Sequence, residues 1–155
     1  MSSKSPYILC LVRGGKESKR TVTQAIDLAL EMDAALVFFH VLDAGFLGQS
    51  MMGTRIKVVY QSLRDMADFA MDILKDRAER RGVKEVKTLV REGNIAKELK
   101  KIAIETQAKI LVIGHPIRSP GSNIFKDDEL SDFSKELAEV GEIEVLVVGG
   151  VDSEQ

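Results

Sequence analysis

Several residue types that mark particular protein classes are scarce in this sequence. Its 155 residues contain one cysteine, two histidines, three prolines and no tryptophan. The single cysteine, Cys10, cannot form an intrachain disulfide, which excludes a disulfide-stapled secreted domain. So few histidines and cysteines favour neither a metal centre nor a nucleophilic triad, and no hydrolase elbow, metalloprotease helix or full Walker loop occurs. We therefore expect no catalytic residue and no bound metal.

Long apolar runs and an excess of charge of one sign are also missing. The longest apolar-rich run, Ala34–Leu42, is far shorter than the roughly 20 residues that span a bilayer, and His40 interrupts it. Residues Met1–Pro6 lack the apolar centre of a secretory signal. Basic residues number 22 and acidic residues 24, so no net positive field attracts nucleic acid or anionic lipid. We expect a cytoplasmic protein without nucleic-acid or membrane partners.

What the sequence does contain is a regular series of apolar segments. Four of them are typical of buried strands: Tyr7–Val12, Ala34–Val41, Lys109–Gly114 and Ile143–Val148. In a fifth segment, Glu85–Arg91, side chains alternate in direction, which is typical of a strand at one side of a sheet. One set is Val86, Thr88 and Val90, and the other is Glu85, Lys87 and Leu89. The length predicts a single domain over residues 1–155, with its core at about 6–149.

Helical patterns occupy the intervals between these strands. The first follows Ser18, a predicted N-cap, and the third follows a predicted cap at Asn94. The second and longest, which stops near Gly82, has a predicted core stripe of Val59, Leu63, Met66, Ala67, Ala70, Ile73 and Leu74. The fourth, which ends at Gly141, has a predicted core face of Leu130, Phe133, Leu137 and Val140.

Strand and helix therefore alternate along the chain. Continuous apolar strands joined by helical crossovers predict a parallel sheet covered on both faces, a three-layer α/β/α sandwich. Ligands bind such sheets outside the carboxyl ends of the strands. The two longest irregular segments, Asp43–Arg55 and His115–Lys126, follow the second and fourth strands, so both are predicted to lie on the ligand side.

Four short strings within this pattern are distinctive in combination. They are Ile8–Gly14 leading into a helix, Phe38–Asp43, Glu92–Asn94 before the third helix, and Ile110–Gly114. Their order and spacing resemble the universal stress protein family over nearly the whole chain. The resemblance implies a five-stranded parallel sheet in the order 3-2-1-4-5, of the adenine nucleotide alpha hydrolase-like type, in cytoplasmic homodimers associated with stress responses. One branch of that family binds ATP or AMP, and another does not.

The nucleotide-binding branch carries Gly-x2-Gly-x9-Gly-Ser/Thr after the fourth strand, and this chain departs from that motif. Gly114 matches the first position, but Ile117 replaces the second glycine. Strict counting places Asp127–Asp128 at the final pair, whereas alignment backwards from the last strand places Ser131–Asp132 there. Either alignment puts an aspartate at the helix N-terminus that would hold phosphate, where like charges repel.

Two further positions bear on a nucleotide. The resemblance aligns Arg13 with an aspartate that contacts the nucleoside in nucleotide-binding members, which reverses the charge. It also aligns Val41 with a residue whose backbone groups hold the adenine. The leading hypothesis is therefore a non-catalytic, homodimeric regulatory or protein-interaction module that has lost ordinary ATP binding and whose protein partner is unknown.

A second hypothesis is a sensor that binds ATP, AMP or another anionic small molecule in the same crevice. Its candidate residues are Arg13, Gly14, Val41, Gly114, His115 and Ser131. Residues 13–16 would form an anion nest with Arg118 opposite, and the competing interpretation is a solvated basic loop. The sequence around Gly121-Ser122 is more typical of a turn than of a phosphate site. His40 is expected to be a buried, hydrogen-bonded imidazole. ATP hydrolysis is the least supported function, because no general base or magnesium ligand can be named.

The last strand gives the expectation about assembly. The resemblance places it at one edge of the sheet, where Val145, Leu146 and Val147 form a continuous apolar stretch. Such an edge exposes unpaired backbone groups that invite another chain. We expect a two-fold homodimer through this strand to cover them.

Overall fold

The computed structural model describes residues 6–13, 16–42, 54–114 and 129–148. Within these ranges strand and helix alternate as predicted. In chain order the elements are β1 (Tyr7–Leu11), α1 (Lys16–Met32), β2 (Ala35–Leu42), α2 (Thr54–Arg81), β3 (Val86–Glu92), α3 (Ile95–Thr106), β4 (Ile110–Gly114), α4 (Glu129–Gly141) and β5 (Glu144–Val148). Every predicted strand begins and ends within one residue of the observed strand.

The five strands form one parallel sheet in the order β3-β2-β1-β4-β5. β1 lies at its centre, with Leu9 opposite Val37 of β2 and Leu111 of β4. The predicted parallel sheet and its strand order are therefore confirmed. After β3 the chain returns past β2 and β1 to form β4, so the direction in which strands are added reverses between β1 and β4.

Two apolar cores cover the two faces of the sheet. Successive side chains of a strand point to opposite faces, so Ile8 and Cys10 enter the core beneath α1 and α2, whereas Leu9 and Leu11 enter the core beneath α3 and α4. All four side chains are at most 3% exposed. Burial on both faces explains why β1 is a continuous apolar run rather than an alternating one.

The helix ends follow the local sequence in most places. Asn94 caps α3 as predicted, because its side-chain Oδ1 accepts the backbone N–H of Lys97 at 3.0 Å. α2 stops before Gly82, whose φ of 111° favours glycine. The prediction that Ser18 caps α1 is wrong, since the helix begins at Lys16 and Ser18 lies inside its first turn. Serine is compatible with both places, so its residue type alone does not fix the helix start.

The predicted core stripe of α2 is partly wrong. Met66 and Ile73 are 68% and 52% exposed, and Ala70 is exposed as well. The buried face instead passes through Met71 and Ala78, which lie in the core beneath α1 and α2. The helix carries apolar residues on two faces, and periodicity alone does not decide which face meets the sheet.

The end of α4 needs a similar correction. Phe133 and Leu137 are buried as predicted, but Val140 is 59% exposed. Ile143, which follows the helix, takes the buried place: it is 1% exposed, and its backbone N–H donates to the carbonyl of Leu137 at 3.2 Å. The helix does end at Gly141, as predicted.

Candidate functional site

The candidate site is the crevice at the carboxyl ends of β1 and β4. The strand order reverses between these strands, and α1 and α4, which follow them, cover opposite faces of the sheet. Among the described residues, Arg13 follows β1, Val41 lies near the end of β2, and Gly114 ends β4. The sheet therefore carries these three candidate residues at one end of the molecule.

Two hydrogen bonds fix the direction in which the chain leaves β1. The backbone N–H of Val12 donates to the carbonyl of Phe39 at 2.7 Å, and His40 Nδ1 donates to the carbonyl of Val12 at 2.7 Å. A carbonyl oxygen only accepts, so Nδ1 carries the proton. The half-buried His40 thus has the structural role predicted for it. By holding Val12 against β2, the two bonds set the half-buried position of Arg13.

Gly114 lies where α1 crosses close to the end of β4. A Cβ at this position would stand 3.0 Å from Oγ1 of Thr21, which is closer than carbon and oxygen normally pack. Thr21 itself is 3% exposed, so it has little room to move aside. The close approach of helix and strand accounts for a glycine here without any bound phosphate.

The end of β3 carries polar contacts that the sequence did not reveal. Tyr60 of α2 donates its hydroxyl hydrogen to Glu92 Oε1 at 2.9 Å, and Arg64 Nη1 donates to the Tyr60 hydroxyl at 3.4 Å. The hydrogen bond to Tyr60 raises the pKa of Arg64 further above its ordinary value. The four-residue spacing of Tyr60 and Arg64 on one helix face is the signal that would have grouped them. Their contact with β3, which is 32 residues away from Tyr60, has no counterpart in local sequence.

The remaining candidate residues are only partly covered by the described ranges. Outside them lie Gly14, His115, Arg118, Gly121-Ser122 and Asp127–Asp128. Ser131 belongs to the first turn of α4, where only its backbone is described, and Asp132 on the same turn is exposed. Val41 is 6% exposed and lies in the core beneath α3 and α4, so its side chain is committed to packing.

Reactive groups are few in the described part of the chain. Burial in the central strand raises the pKa of the Cys10 thiol from its ordinary 9.0 to about 12, which leaves the sulfur protonated and a poor nucleophile. No three His, Cys, Asp or Glu side chains within the described ranges are grouped so that they could hold a metal ion. No helix in those ranges combines the length and apolarity that a membrane crossing requires.

A cleft also opens toward the opposite end of the sheet. It has a volume of about 790 Å³ and is lined by residues of β1, β3, α2 and the end of α3, among them Tyr7, Lys87, Asp72, Lys75 and Glu105. Lys87 Nζ donates to the Tyr7 hydroxyl at 3.1 Å and lies 5.3 Å from the centre of the ring. None of the candidate residues at the carboxyl ends lines this cleft, so it is a separate feature.

The strand order, the crevice and the element spacing agree with a known family. A family model described as the universal stress protein family matches residues 7–149, from the first residue of β1 to beyond the last residue of β5. The chain belongs to the universal stress protein family. No curated protein sequence matches this family member significantly.

Solved structures of universal stress proteins share its fold. A universal stress protein of Burkholderia pseudomallei is 20% identical, with a TM-score of 0.69 over 97% of this chain and 100% of that one. UspA of Lactobacillus plantarum is 17% identical, with a TM-score of 0.68 over 96% and 100% of the two chains. The universal stress protein of Archaeoglobus fulgidus in complex with dAMP is 14% identical, with a TM-score of 0.56 over 94% and 98%. At these identities the likeness establishes the fold alone.

Proposed function

We propose that this universal stress protein is a non-catalytic regulatory module that acts as a homodimer and does not bind ATP in the ordinary manner of the family's nucleotide-binding branch. The observation that carries the proposal is the chemistry of β5. After Glu144 this edge strand consists of four successive apolar residues, Val145–Val148, and all four are only half-buried. A protein that displays such an edge gains stability when another chain covers it.

The backbone of β5 supports pairing with a second copy. The N–H of Glu144 donates to the carbonyl of Lys109 at 3.0 Å, so Glu144 turns its backbone groups toward the rest of the sheet. Backbone direction alternates along a strand, and Val145 and Val147 therefore turn their N–H and C=O groups to the open edge. A two-fold axis beside β5 would place two such strands antiparallel and join two sheets into one of ten strands.

The crevice supports the second half of the proposal. Arg13 brings a positive, half-buried side chain to the position that the family resemblance aligns with a nucleoside-binding aspartate. Gly114, which matches the glycine motif, is accounted for by its packing against Thr21. The aspartates of the motif, whichever alignment is chosen, add negative charge where a triphosphate would need to bind.

The dAMP complex of the Archaeoglobus fulgidus protein makes a nucleotide sensor the second candidate. Calorimetric titration of the full chain with ATP and with AMP separates the two functions. We expect no saturable heat with either nucleotide, and no phosphate release from ATP. A dissociation constant in the micromolar range, corresponding to roughly 8 kcal/mol of binding free energy, would favour the sensor. Phosphate release that is lost in Arg13→Ala would contradict the non-catalytic assignment.

A further inference from the structure

Helix α2 presents an apolar surface to solvent in addition to the one it buries. Val58, Met66, Phe69 and Ile73 are 59%, 68%, 68% and 52% exposed. We name these four residues the outer stripe. Phe69 follows Met66 by three residues and Ile73 follows Phe69 by four, so these side chains stack along one helix face. Exposed groups of large apolar side chains of this kind mark interaction sites.

The outer stripe faces away from the sheet. The buried residues Met71 and Ala78 occupy the opposite side of α2, against the core beneath α1 and α2. With 28 residues, α2 is about 42 Å long, whereas the seven residues of β3 beside it span about 23 Å. The residues from Val58 to Ile73 alone extend about 22 Å, or roughly four helical turns, which is long enough for another helix to pack along them.

One flank of the outer stripe is acidic. Asp65, Asp68 and Asp72 directly precede Met66, Phe69 and Ile73, so each carboxylate lies about 100° around the helix from its apolar neighbour, on the same side. We name these three residues the acid line. All three are exposed, and none forms an ion pair with another described residue, although Gln61 Nε2 donates to Asp65 Oδ1 at 2.8 Å. Lys57 and Lys75 lie on this flank beyond the two ends of the line, and Lys75 lies 3.8 Å from Glu79. Arg64 lies between them, four residues before Asp68, and its pKa is raised by the hydrogen bond to Tyr60 and, to a smaller extent, by the charge of Asp68.

The other flank is closed by α1. Arg77 Nη2 donates to Oγ1 of Thr23 at 2.9 Å, and Arg81 forms an ion pair with Asp27 at 2.8 Å. These contacts turn the basic side chains of that flank toward α1. The outer stripe is thus an apolar helix surface that lies between a neighbouring helix and a row of exposed carboxylates.

We propose that the outer stripe and the acid line bind a cationic amphipathic helix of a partner protein. Leucine-like residues of the partner would pack on Met66 and Phe69, and its lysines or arginines would face Asp68 and Asp72. Charge favours this occupant over a second copy paired antiparallel through the same stripe, because such a pair sets acid line against acid line. An anionic membrane surface is repelled by the same carboxylates. The inference deepens the proposed regulatory function, on which it rests, by naming a class of partner.

The test uses the full chain and two synthetic peptides of about 18 residues, long enough to cover the outer stripe as a helix. One peptide is an amphipathic helix of leucine and lysine, and the other has the same pattern with glutamate in place of lysine. Fluorescence anisotropy of the labelled peptides is measured against protein concentration at low and high salt. We expect saturable binding of the lysine peptide that weakens with salt, and no binding of the glutamate peptide.

Substitutions on the surface locate the binding without disturbing the core. Phe69→Ser is expected to weaken binding of the lysine peptide roughly tenfold, as when an interface anchor is removed. Val140→Ser is the matched control, because Val140 is 59% exposed on α4, outside the stripe, and it should leave the affinity unchanged. Replacing Asp68 and Asp72 together by asparagine is expected to weaken binding roughly threefold and flatten its salt dependence, whereas Glu139→Gln should do neither.

Any of the following results would overturn the inference. They are no saturable binding of the lysine peptide, equal binding of both peptides, an affinity that Phe69→Ser leaves unchanged, and a decrease in the mass of the free protein in Phe69→Ser, which would assign the stripe to a second copy. Binding of the wild-type chain to anionic vesicles that Phe69→Ser abolishes would assign it to membranes and likewise overturn it. Because these variants leave β5 intact, the two proposals are tested separately. The dimer proposed above can be wrong while the lysine peptide still binds, and the lysine peptide can fail to bind while the dimer is found.

Discussion

The two edge strands of the sheet differ in chemistry although both end the same parallel array. β3 carries charged residues at Lys87, Arg91 and Glu92, and two of them form ion pairs: Arg91 lies 3.1 Å from Glu105, and Lys87 lies 3.4 Å from Glu85. β5 has no charged residue after Glu144. Within the described ranges no further strand pairs with the outer side of either one, so the difference lies in the side chains.

This difference indicates what each edge is suited to. Charged side chains on an edge strand discourage a second strand from pairing with it, because pairing would desolvate them. A half-buried apolar edge has no such cost and gains from being covered. We therefore propose that the β3 edge stays unpaired and that the β5 edge pairs with a second copy of the chain.

The largest effect is expected for Val147→Pro. Proline lacks the N–H that Val147 turns to the open edge, so the substitution removes a bond of the proposed dimer while the bonds between β4 and β5 remain. We expect the mass measured by light scattering at micromolar concentration to fall from twice 17.1 kDa to 17.1 kDa.

The matched control for this variant is Val90→Pro at the other edge. Val90 also turns its N–H outward, because the carbonyl of Glu85 accepts from Leu36 and backbone direction alternates from there along β3. The Val90→Pro variant should leave the mass measured by light scattering at the dimer value. If both proline variants behave alike, the two edges are equivalent and the proposed dimer is wrong.

A smaller effect is expected for Gly114→Ala, which tests whether assembly merely reports fold stability. The added Cβ would stand 3.0 Å from Oγ1 of Thr21, and such overpacking typically lowers the free energy of unfolding by about 1 to 3 kcal/mol. We expect denaturant unfolding to show that loss while light scattering still finds a dimer.

The double variant with Thr21→Ala serves as the control for this contact. Removing the hydroxyl makes room for the new methyl group, so the two substitutions should couple by roughly 1 kcal/mol in a double-mutant cycle. Strict additivity of the two losses would mean that the contact between Gly114 and Thr21 does not explain the glycine.

How far the sequence predicts this molecule depends on whether a feature is local. The strands and the sheet order followed from continuous apolar runs and from family resemblance, and the cap at Asn94 followed from its own residue type. The buried face of α2 could not be predicted in this way. Met66 and Met71 lie on two different apolar faces of the helix, and only packing against the sheet decides which face is buried.

The candidate site was predictable to a smaller extent. Arg13 and Gly114 could be placed at the carboxyl ends because strand ends are read from the chain itself. The contact between Gly114 and Thr21, and that between Tyr60 and Glu92, depend on how helices lie across the sheet. A single sequence carries no signal for such distances, so the packing explanation of Gly114 emerged only from the structure.

The smallest effect is expected for Arg91→Leu, which makes the β3 edge more like β5. Arg91 lies 3.8 Å from Glu98 and 3.1 Å from Glu105, and its side chain is 37% exposed. Exposed ion pairs contribute at most about 1 kcal/mol, so thermal unfolding should reveal a loss of that size or less. The dimer should persist through β5. Assemblies larger than a dimer would instead show that the charge of Arg91 prevents other strands from pairing with the β3 edge.

Backbone amide hydrogen exchange of the wild-type chain tests the central claim most directly. Val145 and Val147 turn their N–H groups outward on β5, and Thr88 and Val90 do so on β3. At micromolar concentration we predict that the two β5 amides exchange at least roughly tenfold more slowly than the two β3 amides, because in the proposed dimer a second copy covers the β5 edge, whereas no strand among the described residues pairs with the outer side of β3. Equal exchange rates at the two edges would contradict the account.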